Sequence, residues 1–309
     1  MSIIEKALDK LGRQKNARDG VQALPVIDEI TVNTPLPLYD DGKNFDEFTV
    51  PDGAPIGNQK IRRESAHQKI SESINIDLDK LGSLGFITPT TKNLHLFEQY
   101  RHIKMRVLGN AIENNSTGNS NIIIVTSAVP GEGKTYSSLN LALSIAYEYN
   151  NTVLFIDGDV QKKMSTMILG AETRPGLLDF LTGGETSLSD VLLGTNIEKF
   201  TFLPSGKYHE RATELYSSKR MLMLMQELSE RYNDRLIIID TPPLLQDTSA
   251  TAIAKFAGKV ILVIEAEKTP RHYVEEAIRL VNRDKLLGII LNKSNQRYGS
   301  EYGYYSTYT

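Results

Sequence analysis

One glycine-rich turn in this sequence has the residues and spacing of a phosphate-binding loop. The turn runs Ala128-Val-Pro-Gly131-Glu-Gly133-Lys134-Thr135 and follows the apolar run Ile122–Val125. Between a strand and a helix, such a turn points several backbone N–H groups at phosphate oxygens, reinforced by the N-terminus of the helix. Its lysine reaches the β- and γ-phosphates, and its threonine hydroxyl binds Mg²⁺. We therefore predict a site for ATP and Mg²⁺. The predicted nucleotide contacts are Val129, Pro130, Gly131, Glu132, Gly133, Lys134, Thr135 and Tyr136.

Carboxylates stand at the ends of two further apolar runs. Asp240 closes the run Leu236–Ile239, while Asp157 and Asp159 close the run Val153–Ile156. An aspartate that leaves a buried strand beside a phosphate loop can hold Mg²⁺ through water. Two carboxylates so close in sequence can both face one Mg²⁺–phosphate centre, and either can accept a proton from an attacking hydroxyl. The predicted catalytic residues are Lys134, Asp157, Asp159 and Asp240. The predicted metal ligands are Thr135, Asp157 and Asp240.

The C-terminal end of the sequence carries a row of phenol groups. Five of the chain's 14 tyrosines fall in its last 12 residues, where a packed core has little use for them. Gly299 and Gly303, together with the lack of apolar periodicity, favour a flexible tail. An ATP site and a flexible row of phenols suggest a kinase that phosphorylates its own tail. The predicted phosphoryl acceptors are Tyr298, Tyr302, Tyr304, Tyr305 and Tyr308.

The elements that must position these groups alternate regularly along the chain. Mostly uninterrupted apolar runs predict strands that are covered on both faces, and helical patterns lie between them. This alternation predicts an α/β fold with a doubly wound, mostly parallel sheet of the P-loop NTPase type and a ligand at the strands' carboxyl ends. The predicted strands are Ile122–Thr126, Val153–Ile156, Thr201–Leu203, Leu236–Ile239, Val260–Ile264 and Leu287–Leu291. The predicted helices are Leu94–Ile112, Lys134–Tyr149, Ala212–Tyr232 and Arg271–Asp284.

The sequence divides into three regions. Residues 1–72 begin with a short amphipathic stretch whose Ser2 and Glu5 have the spacing of a helix-capping box. A polar linker follows, and we expect much of this region to be disordered. Residues 73–292 form the predicted kinase domain, and residues 293–309 form the flexible tyrosine-rich tail. An isolated helix this short is marginal in water, so either the chain's own domain or a partner must cover its apolar side.

Composition limits the classes of partner and of chemistry. A formal net charge of −3 gives no general attraction to nucleic acid, and no nucleic-acid partner is expected. The absence of cysteine excludes disulfides, thiol catalysis and cysteine-bound metals. The sequence has neither an apolar run long enough to span a bilayer nor the apolar core of a signal peptide. We therefore expect a cytoplasmic protein without direct membrane insertion.

The combination of motifs resembles one family, the bacterial tyrosine kinases that regulate exopolysaccharide polymerisation and export. Those autokinases have a loop of the form Ala-x-Pro-Gly-Glu-Gly-Lys-Ser/Thr, strands that end in Asp-x-Asp and in Asp-Thr-Pro-Pro, and a C-terminal tyrosine cluster. Here these motifs are Ala128–Thr135, Asp157–Asp159, Asp240–Pro243 and Tyr298–Tyr308. The resemblance implies an ATP- and Mg²⁺-dependent protein-tyrosine autokinase, active in trans within a homo-oligomer that could be a ring. It also implies recruitment to the inner face of the cytoplasmic membrane by the cytoplasmic segment of a membrane polysaccharide co-polymerase.

Two positions of the chain depart from the family pattern. The family usually has arginine two residues after the second aspartate of Asp-x-Asp, where this chain has Gln161, followed by two lysines. A lysine lacks the bidentate fork of arginine, so it would replace that charge imperfectly. The family's Glu-x-x-Arg-x-x-Arg helix, which lies in subunit contacts, is here Glu98, Arg101 and Lys104. On spacing alone these residues are an ordinary solvated helix face, but the resemblance favours an oligomer interface.

Two other functions remain as alternatives. A partition- or Min-type ATPase shares the predicted fold, but it carries an additional lysine early in its phosphate loop, where this chain has Val129 and Pro130. A non-catalytic scaffold could bind ATP and display its tail to a membrane partner. Complete loop and aspartate motifs argue against the scaffold, whereas Gln161 leaves it open.

Overall fold

The structure, a computed structural model, describes residues 72–113, 119–148, 151–183, 187–231 and 235–294. The predicted N-terminal helix, nearly all of the linker and the five tail tyrosines therefore lie outside the described residues.

A single sheet forms the centre of the described part of the chain, where eight strands lie in the order β1-β4-β5-β3-β6-β2-β7-β8. All neighbouring strands are parallel except β4 and β5, which pair antiparallel. This arrangement confirms the predicted doubly wound, mostly parallel fold. The strands are β1 (Glu72–Ile74), β2 (Ile122–Ser127), β3 (Thr152–Asp157), β4 (Leu193–Thr195), β5 (Phe200–Leu203), β6 (Arg235–Asp240), β7 (Lys259–Glu265) and β8 (Leu286–Asn292).

The central strands are apolar because both of their faces are covered by helices. Every residue of β2 is buried, and so are Leu236–Asp240 of β6. The helices in the described ranges are α1 (Leu78–Ser83), α2 (Leu94–Glu113), α3 (Lys134–Ala146), α4 (Met164–Ile168), α5 (Leu177–Leu181), α6 (Leu188–Val191), α7 (Ala212–Tyr216), α8 (Lys219–Arg231), α9 (Thr248–Ala254) and α10 (Arg271–Leu280). None of them combines the length and the apolar character that crossing a bilayer requires.

Two predicted helices differ in the structure. The helix predicted over Ala212–Tyr232 is divided into α7 and α8, because the Ser218 hydroxyl caps the start of α8 by accepting from Met221 N at 3.2 Å. The helix predicted over Arg271–Asp284 ends at Leu280, since Val281 has an extended backbone and a short 3-10 turn, Arg283–Lys285, follows. The short elements β1, β4, α1, α4, α5, α6 and α9 were not predicted, because segments of three to seven residues show little periodicity.

Strand order brings the predicted functional groups to one edge of the sheet. Strand β6 lies between β2, which leads into the glycine-rich loop, and β3, which ends in the Asp157 turn. Asp240 is in register with Asp157 on one side and with Val125 on the other. The carboxyl ends of the parallel strands therefore place both acidic strand ends directly beside the loop.

Candidate active site

The loop after β2 has the backbone conformation that a phosphate cradle requires. Gly131 and Gly133 have φ of 89° and 93°, a left-handed region that side chains disfavour. Helix α3 begins at Lys134, immediately after Gly133. The N-terminus of α3 therefore points its unpaired N–H groups toward the loop, which favours a bound anion.

Two residues predicted to contact nucleotide have side chains with internal partners. The buried Glu132 carboxylate accepts hydrogen bonds from Val129 N at 2.8 Å and from the Thr269 hydroxyl. The Tyr136 hydroxyl donates to the Gly85 carbonyl at 2.8 Å. Side chains held in this way brace the loop and α3, and nucleotide contacts from these two positions stay a prediction.

Lys134 lies between two buried carboxylates. Its ammonium donates to Asp159 Oδ2 at 2.8 Å and lies 3.7 Å from Asp240 Oδ1. Burial by itself would lower the pKa of Lys134, but the nearby charges of Asp240 and Asp159 outweigh it and raise that pKa. The structure therefore brings three of the predicted catalytic residues together, with the lysine charged.

Asp157 is held in place by the start of helix α4. Its Oδ2 accepts from both the backbone N–H and the hydroxyl of Thr166, at 2.8 and 2.7 Å, and its Oδ1 accepts from Asp159 N at 3.1 Å. Burial, together with the like charge of Asp240 beside it, raises the pKa of Asp157 to about 7. Both oxygens are thus engaged, so Asp157 braces the turn that carries Asp159, and its metal role stays a prediction.

Asp240 and Thr135 have the chemistry of a Mg²⁺ site. Burial raises the pKa of Asp240, against the opposing effects of Lys134 and of the hydroxyls of Thr135 and Ser165. Its Oδ2 accepts from the Ser165 hydroxyl at 3.0 Å, while its buried Oδ1 accepts no hydrogen bond from the described residues. Within the described ranges, no group of three or more His, Asp or Glu side chains is arranged so that it could hold a metal ion by itself. Mg²⁺ commonly takes one or two protein oxygens plus phosphate and water, so Asp240 Oδ1 and the Thr135 hydroxyl fit it.

The residues that stand where the family has arginine have separate contacts. Gln161 donates to Asp247 Oδ2 at 2.9 Å, and Lys163 donates to the Gly206 carbonyl at 2.5 Å. Lys163 is therefore already engaged, whereas the side chain of Lys162 is exposed to solvent.

The three predicted interface residues of α2 lie in different environments. Glu98 and Arg101 are exposed and form an ion pair at 3.3 Å. Lys104 is buried, and its ammonium lies 2.8 Å from Glu148 Oε1 just after α3. The expectation that all three residues lie on one exposed face of α2 therefore needs correction. Lys104 points inward and attaches α2 to the chain just after α3.

Several residues of the site were not identified from the sequence. Thr166, which holds Asp157, and Thr269, which holds Glu132, lie in segments without a motif. Asn292 and Lys293 contact the loop backbone from the end of β8. The rule that ligands lie at the carboxyl ends of parallel strands could have indicated Asn292, since it follows the predicted strand Leu287–Leu291.

Comparisons with known proteins place the site in context. A family model described as an AAA domain matches residues 120–287. The tyrosine-protein kinase CpsD of Streptococcus agalactiae is 35% identical over 205 residues, which cover 64% of this chain and 87% of CpsD. AmsA of Erwinia amylovora is 37% identical over 187 residues, which cover 60% of this chain and 25% of AmsA. The chain thus spans about a quarter of the length of AmsA and most of the length of CpsD.

A solved structure agrees with these sequence comparisons. The BceF tyrosine kinase domain matches with a TM-score of 0.55 and 26% identity, over 72% of this chain and 83% of that domain.

Proposed function

The chain belongs to the bacterial tyrosine-protein kinases, and from that premise we propose that it is an ATP- and Mg²⁺-dependent autokinase that phosphorylates its own C-terminal tyrosines. The observation that carries the proposal is the buried Lys134 ammonium, held by Asp159 and Asp240 beside the glycine-rich loop. A lysine in that place can transfer its contact from a carboxylate to the γ-phosphate. Phosphoryl transfer depends mainly on positioning and on charge stabilisation, and this arrangement supplies both.

Each residue of the site then has a defined part. The loop backbone orients the phosphates, and Lys134 stabilises the charge that develops on the transferred group. Asp159, once Lys134 turns to the phosphate, has a carboxylate oxygen that can orient or deprotonate the incoming phenol. Asp240 and the Thr135 hydroxyl would hold Mg²⁺, which neutralises phosphate charge when bound. Asp157 keeps the Asp159 turn in place through Thr166.

The direct test is phosphotyrosine mapping on the full chain. Incubation with ATP and Mg²⁺ should place phosphate on Tyr298, Tyr302, Tyr304, Tyr305 or Tyr308. The Lys134→Met variant should lose this signal, whereas Lys268→Met, which removes an exposed lysine bonded to Glu265, should retain it. Binding of ATP by the wild-type chain with no phosphotyrosine would reject the kinase and favour the scaffold alternative.

The proposed oligomer is supported by an apolar stripe on helix α2. Leu94, Phe97 and Met105 are 75%, 40% and 61% exposed, and the Glu98–Arg101 ion pair lies among them in the sequence. Large apolar side chains in such a row on one helix are typical of a surface that another protein covers. A second copy of this chain is the proposed partner, with the tail of one subunit entering the site of its neighbour.

Transfer in trans can be tested by mixing two inactive chains. One carries Lys134→Met and keeps its tail, and the other keeps Lys134 but has its five tail tyrosines replaced by phenylalanine. If transfer occurs between subunits, only the first chain becomes labelled. Absence of label in a mixture of folded, oligomeric chains would exclude transfer in trans.

We also propose that the chain is cytoplasmic and is recruited to the membrane. There it would regulate the polymerisation or export of exopolysaccharide. The agent of recruitment would be the cytoplasmic segment of a membrane polysaccharide co-polymerase, which would add to the nucleotide-site surface and tighten ATP binding. The test is to measure ATP affinity and autophosphorylation with and without that segment. An isolated chain that is already fully active, and that the segment neither binds nor alters, would contradict activation by a partner.

A further inference from the structure

The end of strand β8 contacts the phosphate loop through two successive residues. The Asn292 side-chain amide donates to the Glu132 carbonyl at 2.8 Å, and the Lys293 ammonium donates to the Gly131 carbonyl at 2.7 Å. These contacts join residues that are separated by 160 and 162 positions in the sequence. Neither Asn292 nor Lys293 has a part in the chemistry described above.

The two contacts determine where the loop's N–H groups point. A carbonyl and the N–H of the following residue belong to one rigid, trans peptide plane and point in opposite directions. Holding the Gly131 carbonyl therefore orients the N–H of Glu132, and holding the Glu132 carbonyl orients the N–H of Gly133. These are N–H groups of the kind that a phosphate loop directs at its ligand.

Lys293 is itself held in an unusual conformation. Its φ of 58° lies in the left-handed region, which a non-glycine residue adopts at a cost in conformational energy. Its ammonium also lies 3.1 Å from Glu265 Oε2 at the end of β7, and this contact lowers the pKa of Glu265. The Lys293 ammonium is thus held by Glu265 at the end of β7 as well as by the Gly131 carbonyl of the loop.

Asn292 adds a close steric fit. A Cβ atom placed on Gly133 would lie 2.0 Å from Asn292 Nδ2, so the amide packs directly against the glycine that precedes Lys134. The glycine is therefore needed for this packing as well as for its positive φ. The loop, β7 and the end of β8 form one connected polar unit.

We propose that Lys293, with Asn292 beside it, is a positioning residue for the triphosphate, orienting the N–H groups of the phosphate loop before nucleotide binds. The inference rests on the proposed function only in naming ATP as the triphosphate. It concerns binding, so it can be tested separately from tyrosine phosphorylation.

The experiment measures binding of Mg²⁺-ATP and of inorganic tripolyphosphate to the full chain by calorimetry. Lys293→Met should weaken both ligands by a similar factor, roughly fivefold, because one charge-assisted hydrogen bond at a partly exposed position is lost. Lys293→Arg keeps a cationic donor and should restore most of the affinity. Lys268→Met is the matched control, since among the described residues the Lys268 ammonium forms an ion pair with Glu265 and no hydrogen bond to the loop.

The comparison of ligands separates positioning from other roles. If Lys293→Met weakened ATP but not tripolyphosphate, Lys293 would contact the base or ribose, and the inference would be overturned. It would also be overturned if Lys293→Met matched Lys268→Met, or if its loss of affinity merely accompanied a large fall in the melting temperature of the nucleotide-free chain. Failure of the wild-type chain to bind either ligand would reject it too, whereas binding without phosphotyrosine would contradict the kinase activity alone.

Discussion

Lys134 is a buried cation whose charge is compensated by two buried aspartates. The side chains of Lys134, Asp159 and Asp240 are 8%, 3% and 0% exposed. A buried ion cluster of this kind is tolerated only while every partner is present. A buried charge without a partner costs much more unfolding free energy than an exposed one. The residue that performs the chemistry is therefore also part of the folded state's charge balance.

Replacing Lys134 by methionine should consequently destabilise the nucleotide-free chain as well as inactivate it. Two buried carboxylates would lose their cation, which is expected to cost about 3 kcal/mol near pH 8. Burial raises the pKa of Asp240, and loss of the Lys134 charge removes an effect that lowers it, so this cost shrinks as the pH falls and Asp240 takes up a proton. Urea denaturation at pH 8 and pH 5 would measure the difference, and an equal cost at both pH values would contradict the explanation.

The raised pKa of Asp157 predicts a second dependence of folding stability on pH. Its pKa, raised by burial and by Asp240 to about 7, lies above the unfolded value of 3.8. The folded chain therefore binds this proton more tightly, and the stability that Asp157 contributes at low pH is lost as the pH rises toward 7. The stability of Asp157→Asn, which stays neutral, should rise relative to wild type by on the order of 2 kcal/mol between pH 5 and pH 8.

The control for Asp157 is Asp179→Asn, because Asp179 accepts hydrogen bonds from the backbone N–H groups of Gly176 and Lys207 and none of its contacts among the described residues is with a buried carboxylate. Both variants should be studied by denaturation without nucleotide or Mg²⁺. A stability difference between Asp157→Asn and wild type that did not change with pH would show that Asp157 is already ionised at pH 5.

At the scale of elements, helix α2 forms an ion pair between its buried Lys104 and the partly exposed Glu148 just after α3. The Lys104 side chain is 7% exposed and that of Glu148 is 39% exposed. The two ends of the pair are therefore unequal, because water can solvate Glu148 when its partner is lost but can hardly reach Lys104.

This asymmetry predicts unequal effects of removing each partner. Glu148→Gln leaves a buried ammonium without its countercharge and should cost about 2 kcal/mol of unfolding free energy. Lys104→Met places an apolar chain of similar length in the same position and should cost less than about 1 kcal/mol. Chemical denaturation would compare the two, and a larger loss for Lys104→Met would refute this account of the contact.

At the scale of the whole molecule, the exposed apolar side chains of α2 are the surface that we propose a second copy of the chain covers. Met105 on this helix is 61% exposed, and Met223 on α8 is 44% exposed. The two methionines provide a matched pair, since both are exposed on helices and only Met105 belongs to the proposed interface.

Met105→Glu should therefore dissociate the proposed oligomer, whereas Met223→Glu should leave it intact. A charge placed in an apolar interface must be desolvated without a partner, which disfavours association. Light scattering coupled to size-exclusion chromatography would report the mass, and labelling in trans should fall with it. A wild-type chain that stays monomeric at micromolar concentration, or equal masses for the two variants, would contradict the interface.

The sequence alone determined the fold class, the phosphate loop and the acidic strand ends. These features are local: a glycine at positive φ, a lysine at a helix start and an aspartate after an apolar run are defined by neighbouring residues. The ends of strands β2, β3, β6, β7 and β8 were each predicted to within one residue, because long buried runs have few alternative structures.

Only the tertiary structure decided which partner each charged group has. The burial of Lys104 against Glu148, the engagement of both Asp157 oxygens and the contact of Lys293 with Gly131 join segments that are distant in sequence or lie on different elements. Such contacts depend on strand order, register and helix orientation, since hydrogen bonds require distances near 3 Å and defined directions. A sequence motif predicts which residues lie at a site. Packing between elements that are distant in sequence determines which of their atoms are in contact.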